Sequence, residues 1–421
     1  MIQTIQLAPG ITLRCFADTR FKQGRLSIQI IRLQKADEAA MNALIPTVLL
    51  RGCEGHPDLR AITNRLDELY GASVGTMVRR IGDYQTTGFY CGFMEDRFAM
   101  DGDRILEPMV RFVGQLLLQP LTENGGFLSG FTASEKKNLI ATIESDLNDK
   151  RAYTMGKLLK TMCRADSFGV PRLGDKESVT GIDPVSLYRH YRHMLRVSPI
   201  ELFYVGSTPA GRVAELLTQM FASVERAYEP LPAQTPFHDT ECSDETEQMD
   251  IVQGKLCMGF TTSILNTSAE FAAMQVLNTL FGAGMTSKLF MQVREKMSLC
   301  YAIGSGYYGS KGILTVSAGI DCDKEQAVRQ EVLAQLDACR RGEITEQELN
   351  SAKEALLSSL RSVHDSPGAI ESYYATAALS GAARSPALYM EQVQAVTAED
   401  VAAAAKTVKL HSTYFLKGVE A

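Results

Sequence analysis

The stretch "GAGMTSKLFMQVREKMSLCY", residues 282–301, decides how this chain is read. A glycine turn at Gly282 and Gly284 opens a short helix carrying Arg294. Tyr301 follows seven residues after the arginine, inside the alternating run "LCYAIGSGYY". Stepping back 229 residues lays Arg294 on Arg65. There the helix "DLRAITNRLDELYG" again leads into strands, "VGTMVRR" and "YQTTGFYCGF".

The same order of elements holds more widely. In the first half "ITLRCFADTRF" and "GRLSIQIIRL" alternate as paired strands, and "DEAAMNALIPTVLLRG" reads as a buried helix closed by Gly52. Long helices are expected around 101–118 and 134–164. Asp183-Pro184 opens another helix with a cap and a first-turn proline, leading into the strand "IELFYVG". In the second half, strand "GKLCMGFTTS" precedes helix "AEFAAMQVLNTLF", and the final helix "AEDVAAAAKTVKL" leads into strand "STYFLKG". Between the halves, Arg226 to Gln248 is rich in Pro, Thr, Asp and Glu with no apolar period, the pattern of an exposed linker. The expected organisation is a lobe over 1–225, a linker over 226–248 and a second lobe over 249–421. Strands outnumber what a parallel β-α-β rhythm allows, so each lobe is expected to be α+β: a mostly antiparallel sheet with helices on one face.

Composition bounds the function. The 421 residues are 45% hydrophobic and 22% charged with a formal net charge of −6, which suits a globular protein and gives no general attraction for nucleic acid or anionic lipid. No apolar run approaches the ~20 residues of a membrane span, and "MIQTIQLAPGITLRCF" lacks the pattern of a secretory signal, so a cytoplasmic location is expected. The nine cysteines are scattered singly and read as idle thiols rather than a disulfide framework or zinc knuckle.

With duplicated α+β halves, an early buried helix and the 282–301 stretch, the chain resembles the pitrilysin/insulinase family of zinc peptidases, in its processing-peptidase-like branch. The resemblance spans essentially the whole chain and is sharpest from Gly282 to Tyr301. In that family the early helix of the first lobe carries H-x-x-E-H, two imidazoles one turn apart for zinc and a glutamate for the metal-bound water. Aligned through "LLRG", this chain has Ala43, Pro46 and Thr47 at those positions, none of which can do that work. Glu144, 97 residues beyond Thr47, is the candidate for a retained third-ligand position.

The resemblance therefore implies a chain without metal of its own, zinc being expected only in a partner. It implies that Arg294 and Tyr301, with Gly282 and Gly284, bind peptide and stabilise a developing oxyanion beside a zinc-bearing homologous subunit, the substrate being an extended peptide. Isolated copies are expected to be inert and to be able to form a homodimer. Two other readings stand beside this one: a binding scaffold without chemistry, and an active metallopeptidase with zinc held by Glu144, His190 and His193. Left to themselves, Arg294 reads as a surface cation paired with Glu295, Tyr301 as a core aromatic, and His190 with His193 as a solvated helix face. Leu289 and Phe290 read as core, and Thr345 with Glu348 as a capping box.

Overall fold

Alternating apolar residues make strands wherever one face can be buried, and in the computed structural model, which describes residues 2–238 and 240–418, they assemble into one large sheet in each of two units. The first half of the chain forms β1 (Ile2–Ala8), β2 (Ile11–Ala17), β3 (Gln23–Leu33), α1 (Ala39–Leu49), α2 (Leu59–Glu68), β4 (Ser73–Ile81) and β5 (Tyr84–Met94). It continues with α3 (Leu106–Leu118), the short hairpin β6 (Thr122–Glu123) and β7 (Gly126–Phe127), α4 (Ser129–Ser145), α5 (Lys150–Met162), α6 (Lys176–Thr180), α7 (Pro184–Val197), β8 (Ile200–Gly206) and α8 (Ala210–Phe221). The second half forms β9 (Asp244–Met249), β10 (Gly254–Thr261), α9 (Phe271–Asn278), β11 (Ala302–Tyr308), β12 (Ile313–Ile320), α10 (Glu325–Arg340), α11 (Glu346–Ser362), α12 (Pro367–Leu379), α13 (Pro386–Ala395), α14 (Ala398–Thr407) and β13 (Lys409–Gly418).

The first sheet runs β1-β2-β8-β3-β5-β4 and the second β11-β12-β10-β13-β9. Both are antiparallel except at one place, where β2 pairs β8 in parallel and β9 pairs β13 in parallel. Five strands thus correspond in order and direction, and β1 is the extra edge strand of the first sheet. The offset of 229 seen in the sequence is the offset between Ser73 and Ala302, where β4 and β11 begin, and between Tyr84 and Ile313, where β5 and β12 begin.

In the first unit, Leu26, Ile28 and Ile30 of β3 join α1, α3, α7 and α8 in one core. The alternate residues Ser27 and Gln29 point to the other face and meet α12. Glu371 of α12 is buried there, its carboxylate accepting from Ser27 Oγ (2.9 Å), Gln29 Nε2 (2.8 Å) and Arg79 Nη1 (3.0 Å). Ile370 packs beside it on Phe16 and Val205. In the second unit α5 has the equivalent place, with Leu158 against Cys257 and Tyr414. Each sheet therefore carries its helices on one face as expected, plus one helix on the other that the sequence reading did not place.

The units do not follow one cut in the chain. The first comprises Met1–Glu144, Val170–Ala233 and His364–Thr376; the second comprises Ser145–Gly169, Gln234–Val363 and Ala377–Ala421. Two expectations are corrected. The helix expected over 134–164 is two helices, α4 and α5, broken where Asp149 caps α5 by accepting from the N–H groups of Arg151 and Ala152, each at 3.0 Å. The expected linker over 226–248 ends in a strand, since the acidic "DETEQM" of β9 lies along β13, and Arg329 neutralises Asp244 at 2.8 Å. Its preceding part is laid down rather than free. Pro232 accepts from the Tyr84 hydroxyl in the first unit, and Thr235 accepts from the buried Lys311 ammonium in the second.

Candidate functional site

The degenerate metal position lies on α1, which runs from Ala39 to Leu49 with Pro46 inside it. Proline brings no N–H, so the carbonyl of Asn42, four residues back, has no helical donor. The Thr87 hydroxyl of β5 supplies one at 2.7 Å. Ala43 is buried without a donor atom, and the Thr47 hydroxyl is spent on the Leu44 carbonyl at 2.8 Å. Asn42, fully buried, gives its amide N–H to Gln85 Oε1 (2.7 Å) and receives His190 Nε2 on Oδ1 (2.7 Å). Gln85 in turn donates to the carbonyls of Ala39 and Arg172.

This is a closed amide network. It fixes His190 as the Nε2–H tautomer, and burial pushes the imidazole down to about 4, so it is neutral at pH 7. The reading of His190 as part of a solvated helix face is therefore corrected, whereas His193 is exposed.

The donor set on α1 does not fit zinc, which wants imidazole, thiolate or carboxylate. Glu144 does not repair it: its side chain is about half exposed (48%) at the end of α4 and bonded to Lys176 at 2.6 Å. The α4 carboxylate that turns toward α1 is Glu135, buried, and engaged by Arg51 at 3.5 Å just beyond that helix. Among the described residues no group of three or more His, Cys, Asp or Glu side chains could hold a metal ion.

The second unit builds the 282–301 stretch differently from the helices expected there. After α9 the chain widens into π-helical turns over Thr279–Ala283, and again over Leu289–Lys296. Such wide turns often mark functional segments. Gly282 is required by close approach, because a Cβ there would stand 2.7 Å from Ser305 Oγ and 3.0 Å from Leu289 Cδ1. Gly284 has open space around it, so sterics place no demand on that glycine. The otherwise buried Lys288 ammonium bonds Glu348 at 2.7 Å, and Glu348 with Thr345 forms the capping box of α11. Leu289 is fully buried, as read from the sequence. Phe290 is half-buried and carries the Arg294 guanidinium over its ring at 4.6 Å.

Arg294 also lies 3.6 Å from Glu295, the local pairing that the spacing suggested. Tyr301 is not a core aromatic: it is 60% exposed, and its hydroxyl donates to Asp321 at 3.0 Å. That hydrogen bond to the carboxylate raises the phenol above its ordinary value. Asp321 itself is held below the usual carboxylate range, chiefly by Lys324 and then by Tyr301. Both functional candidates are thus at the surface, each with its own acid and neither sharing a partner. Asn42, Gln85, Lys288 and Ser305 were not singled out from sequence. A lone asparagine within the apolar "AAMNALIP" was the available signal for the first of them.

A two-sheet α+β fold, an amide network on α1 and surface-placed Arg294 and Tyr301 in the second unit are the features expected of a non-catalytic relative of the two-lobed zinc peptidases. Comparison with known families matches residues 182–356 to the peptidase M16 inactive domain. The probable inactive metalloprotease YmfF of Bacillus subtilis is 28% identical over 98% of this chain and 96% of its own. A conserved protein of Enterococcus faecalis V583 superposes with a TM-score of 0.91 at 25% identity, covering 99% of this chain and 98% of that one. The peptidase M16 inactive domain from Pseudomonas fluorescens shares the fold, at TM-score 0.82 and 18% identity over 100% and 98% of the two chains. The family match and the likeness to YmfF both support a non-catalytic protein similar to the pitrilysin/insulinase (M16) peptidases. No helix among the described residues is long and apolar enough to cross a membrane.

Proposed function

We propose that this chain is the zinc-free subunit of a heterodimeric, processing-peptidase-like assembly in the cytoplasm, lending Arg294 and Tyr301 to a homologous partner that carries the metal. The observation that supports this most directly is the exposure of Tyr301, a phenol that a core-filling aromatic would have buried. Both groups are held by exposed carboxylates, Glu295 and Asp321, and an incoming peptide carbonyl can displace such weak surface pairs. A guanidinium and a phenol suit the charge that develops on that oxygen. The nine cysteines are all free thiols, in keeping with a reducing compartment. Zinc on this reading belongs to the partner alone, and the substrate is an extended peptide that can add to a sheet edge.

The test is reconstitution with an H-x-x-E-H homologue from the same genome. Arg294→Ala and Tyr301→Phe should each lower kcat/KM of the pair by about 10²–10³-fold, the worth of one oxyanion donor, with folding unchanged. Equal turnover by wild-type and variant pairs would leave the second reading, a scaffold without chemistry. That reading is favoured by the intramolecular partners that Arg294 and Tyr301 already have.

A further inference from the structure

Each sheet carries one isolated helix on its second face, α12 in the first unit and α5 in the second, and the charges there are not equally matched. In the first unit the helix brings the acid. Glu371 of α12 receives both terminal nitrogens of Arg79, on the edge strand β4, at 3.0 and 3.1 Å. In the second unit the helix brings the cation. Arg151, in the first turn of α5, donates from Nε to Ser317 Oγ of β12 at 3.3 Å, and among the described residues no carboxylate pairs with its guanidinium. The edge strand β11, "AIGSGYY", contains no acid. Asp149, two residues back, is engaged by the N–H groups that it caps.

A cavity of about 410 Å³ lies beside Arg151, with Met155 of α5 on its wall and Gly304, Gly306, Thr315 and Ser317 on its floor. Ser305 turns to the helical face of the sheet, bonding Asn278 Oδ1 at 2.8 Å, so the side-chain positions of Gly304 and Gly306 fall on the cavity side. Neither glycine is required by sterics. A Cβ at 304 would have Gly282 O at 3.5 Å and Arg151 Nη2 at 3.8 Å, and one at 306 would have Thr315 Oγ1 at 3.5 Å, all ordinary contacts. Strand glycines weaken a sheet and mark places where another chain or ligand comes close. The Thr315 hydroxyl returns to the Gly306 carbonyl at 3.3 Å, which leaves Arg151 as the strong donor of the cavity. Positive charge predominates nearby. Burial lowers the Lys255 ammonium, Asp149 opposes that shift and the charge of Arg151 adds to it, so two cations stand around one carboxylate.

β11 is also an edge of its sheet. A chain added along it sends every second side chain over the glycine floor. We infer that this cavity is a side-chain subsite for an extended peptide laid on β11, and that it takes an acidic residue whose carboxylate completes Arg151 as Glu371 completes Arg79. The inference deepens the peptide-binding reading above and rests on it, but uses neither Arg294 nor Tyr301.

Calorimetric titration of the isolated full chain tests it, with two acetylated, amidated strand peptides identical but for a central glutamate or glutamine. The glutamate peptide should bind about five- to tenfold tighter and slow amide exchange over residues 302–308. Arg151→Gln should level the two affinities. Arg151→Glu should instead favour a twin peptide with central lysine, a gain that excludes misfolding as the cause of the loss. Equal binding of both peptides by the wild type, a glutamate preference that survives Arg151→Gln, protection lying away from β11, or displacement by an equal concentration of free glutarate would each overturn the subsite and leave the peptide-binding reading standing. Failure of every peptide to bind would overturn both.

Discussion

At the scale of single residues, the metal position is filled by an amide network rather than left vacant. Asn42 serves three partners at once, through its carbonyl, its amide N–H and its amide oxygen. Asn42→Ala would strand buried groups of Gln85 and His190, so chemical denaturation should show a loss of about 2–4 kcal/mol. His190 adds a pH dependence whose sign follows from its depressed value. The folded protein holds the neutral ring, while the unfolded chain protonates near 6.5, so stability is full above that pH and falls as pH drops toward about 4. Denaturant midpoints across pH 7 to 4 should register a decline on the order of 3 kcal/mol from this group, and His190→Gln should flatten that part of the curve.

At the scale of elements, α12 shows how an isolated helix is held on a sheet face. Glu371 is fully buried with Arg79 opposite, and Gln29 and Ser27 share its oxygens. Removing the carboxylate leaves an unpaired guanidinium and two orphaned donors, so Glu371→Ala should cost about 3–5 kcal/mol. Hydrogen exchange should quicken first within 364–376 if α12 is the element released; uniform quickening across the first sheet would refute the local account. The amphipathic pattern of α12 is weak in sequence because its buried contacts are Ile370, Glu371 and Ala375, only two of them apolar. Periodicity finds helices by apolar faces and passes over one seated by a carboxylate.

The break between α4 and α5 was hidden for a similar reason. "SDLNDK" reads as a polar helical surface until Asp149 is seen capping the second helix. The π-helical turns over Leu289–Lys296 leave no compositional mark either. The sequence located the helix there, and its π-helical width shows only in the structure, where the segment packs against β11 and α10.

At the scale of the whole molecule, the chain crosses between units more often than a two-lobe sequence suggests. Each unit includes a helix, α12 in the first and α5 in the second, whose chain neighbours belong to the other. A protease site engineered at Ala233–Gln234 would cut the connection yet leave each fragment carrying a helix of the other unit's fold. Native size-exclusion should therefore show the nicked halves co-eluting; separation into two folded lobes would refute this partition.

The sequence by itself determined the duplication, the α+β class and the absence of an H-x-x-E-H donor set at Ala43, Pro46 and Thr47, because periodicity, repeat offset and donor atoms are properties of the residues at each position. Only the tertiary structure decided that Glu135 rather than Glu144 turns toward α1, that His190 is half-buried and neutral, that acidic β9 is a strand, and which sheet receives α5 and α12. Those outcomes depend on which distant group arrives to satisfy a buried polar atom, and local patterning holds no record of that.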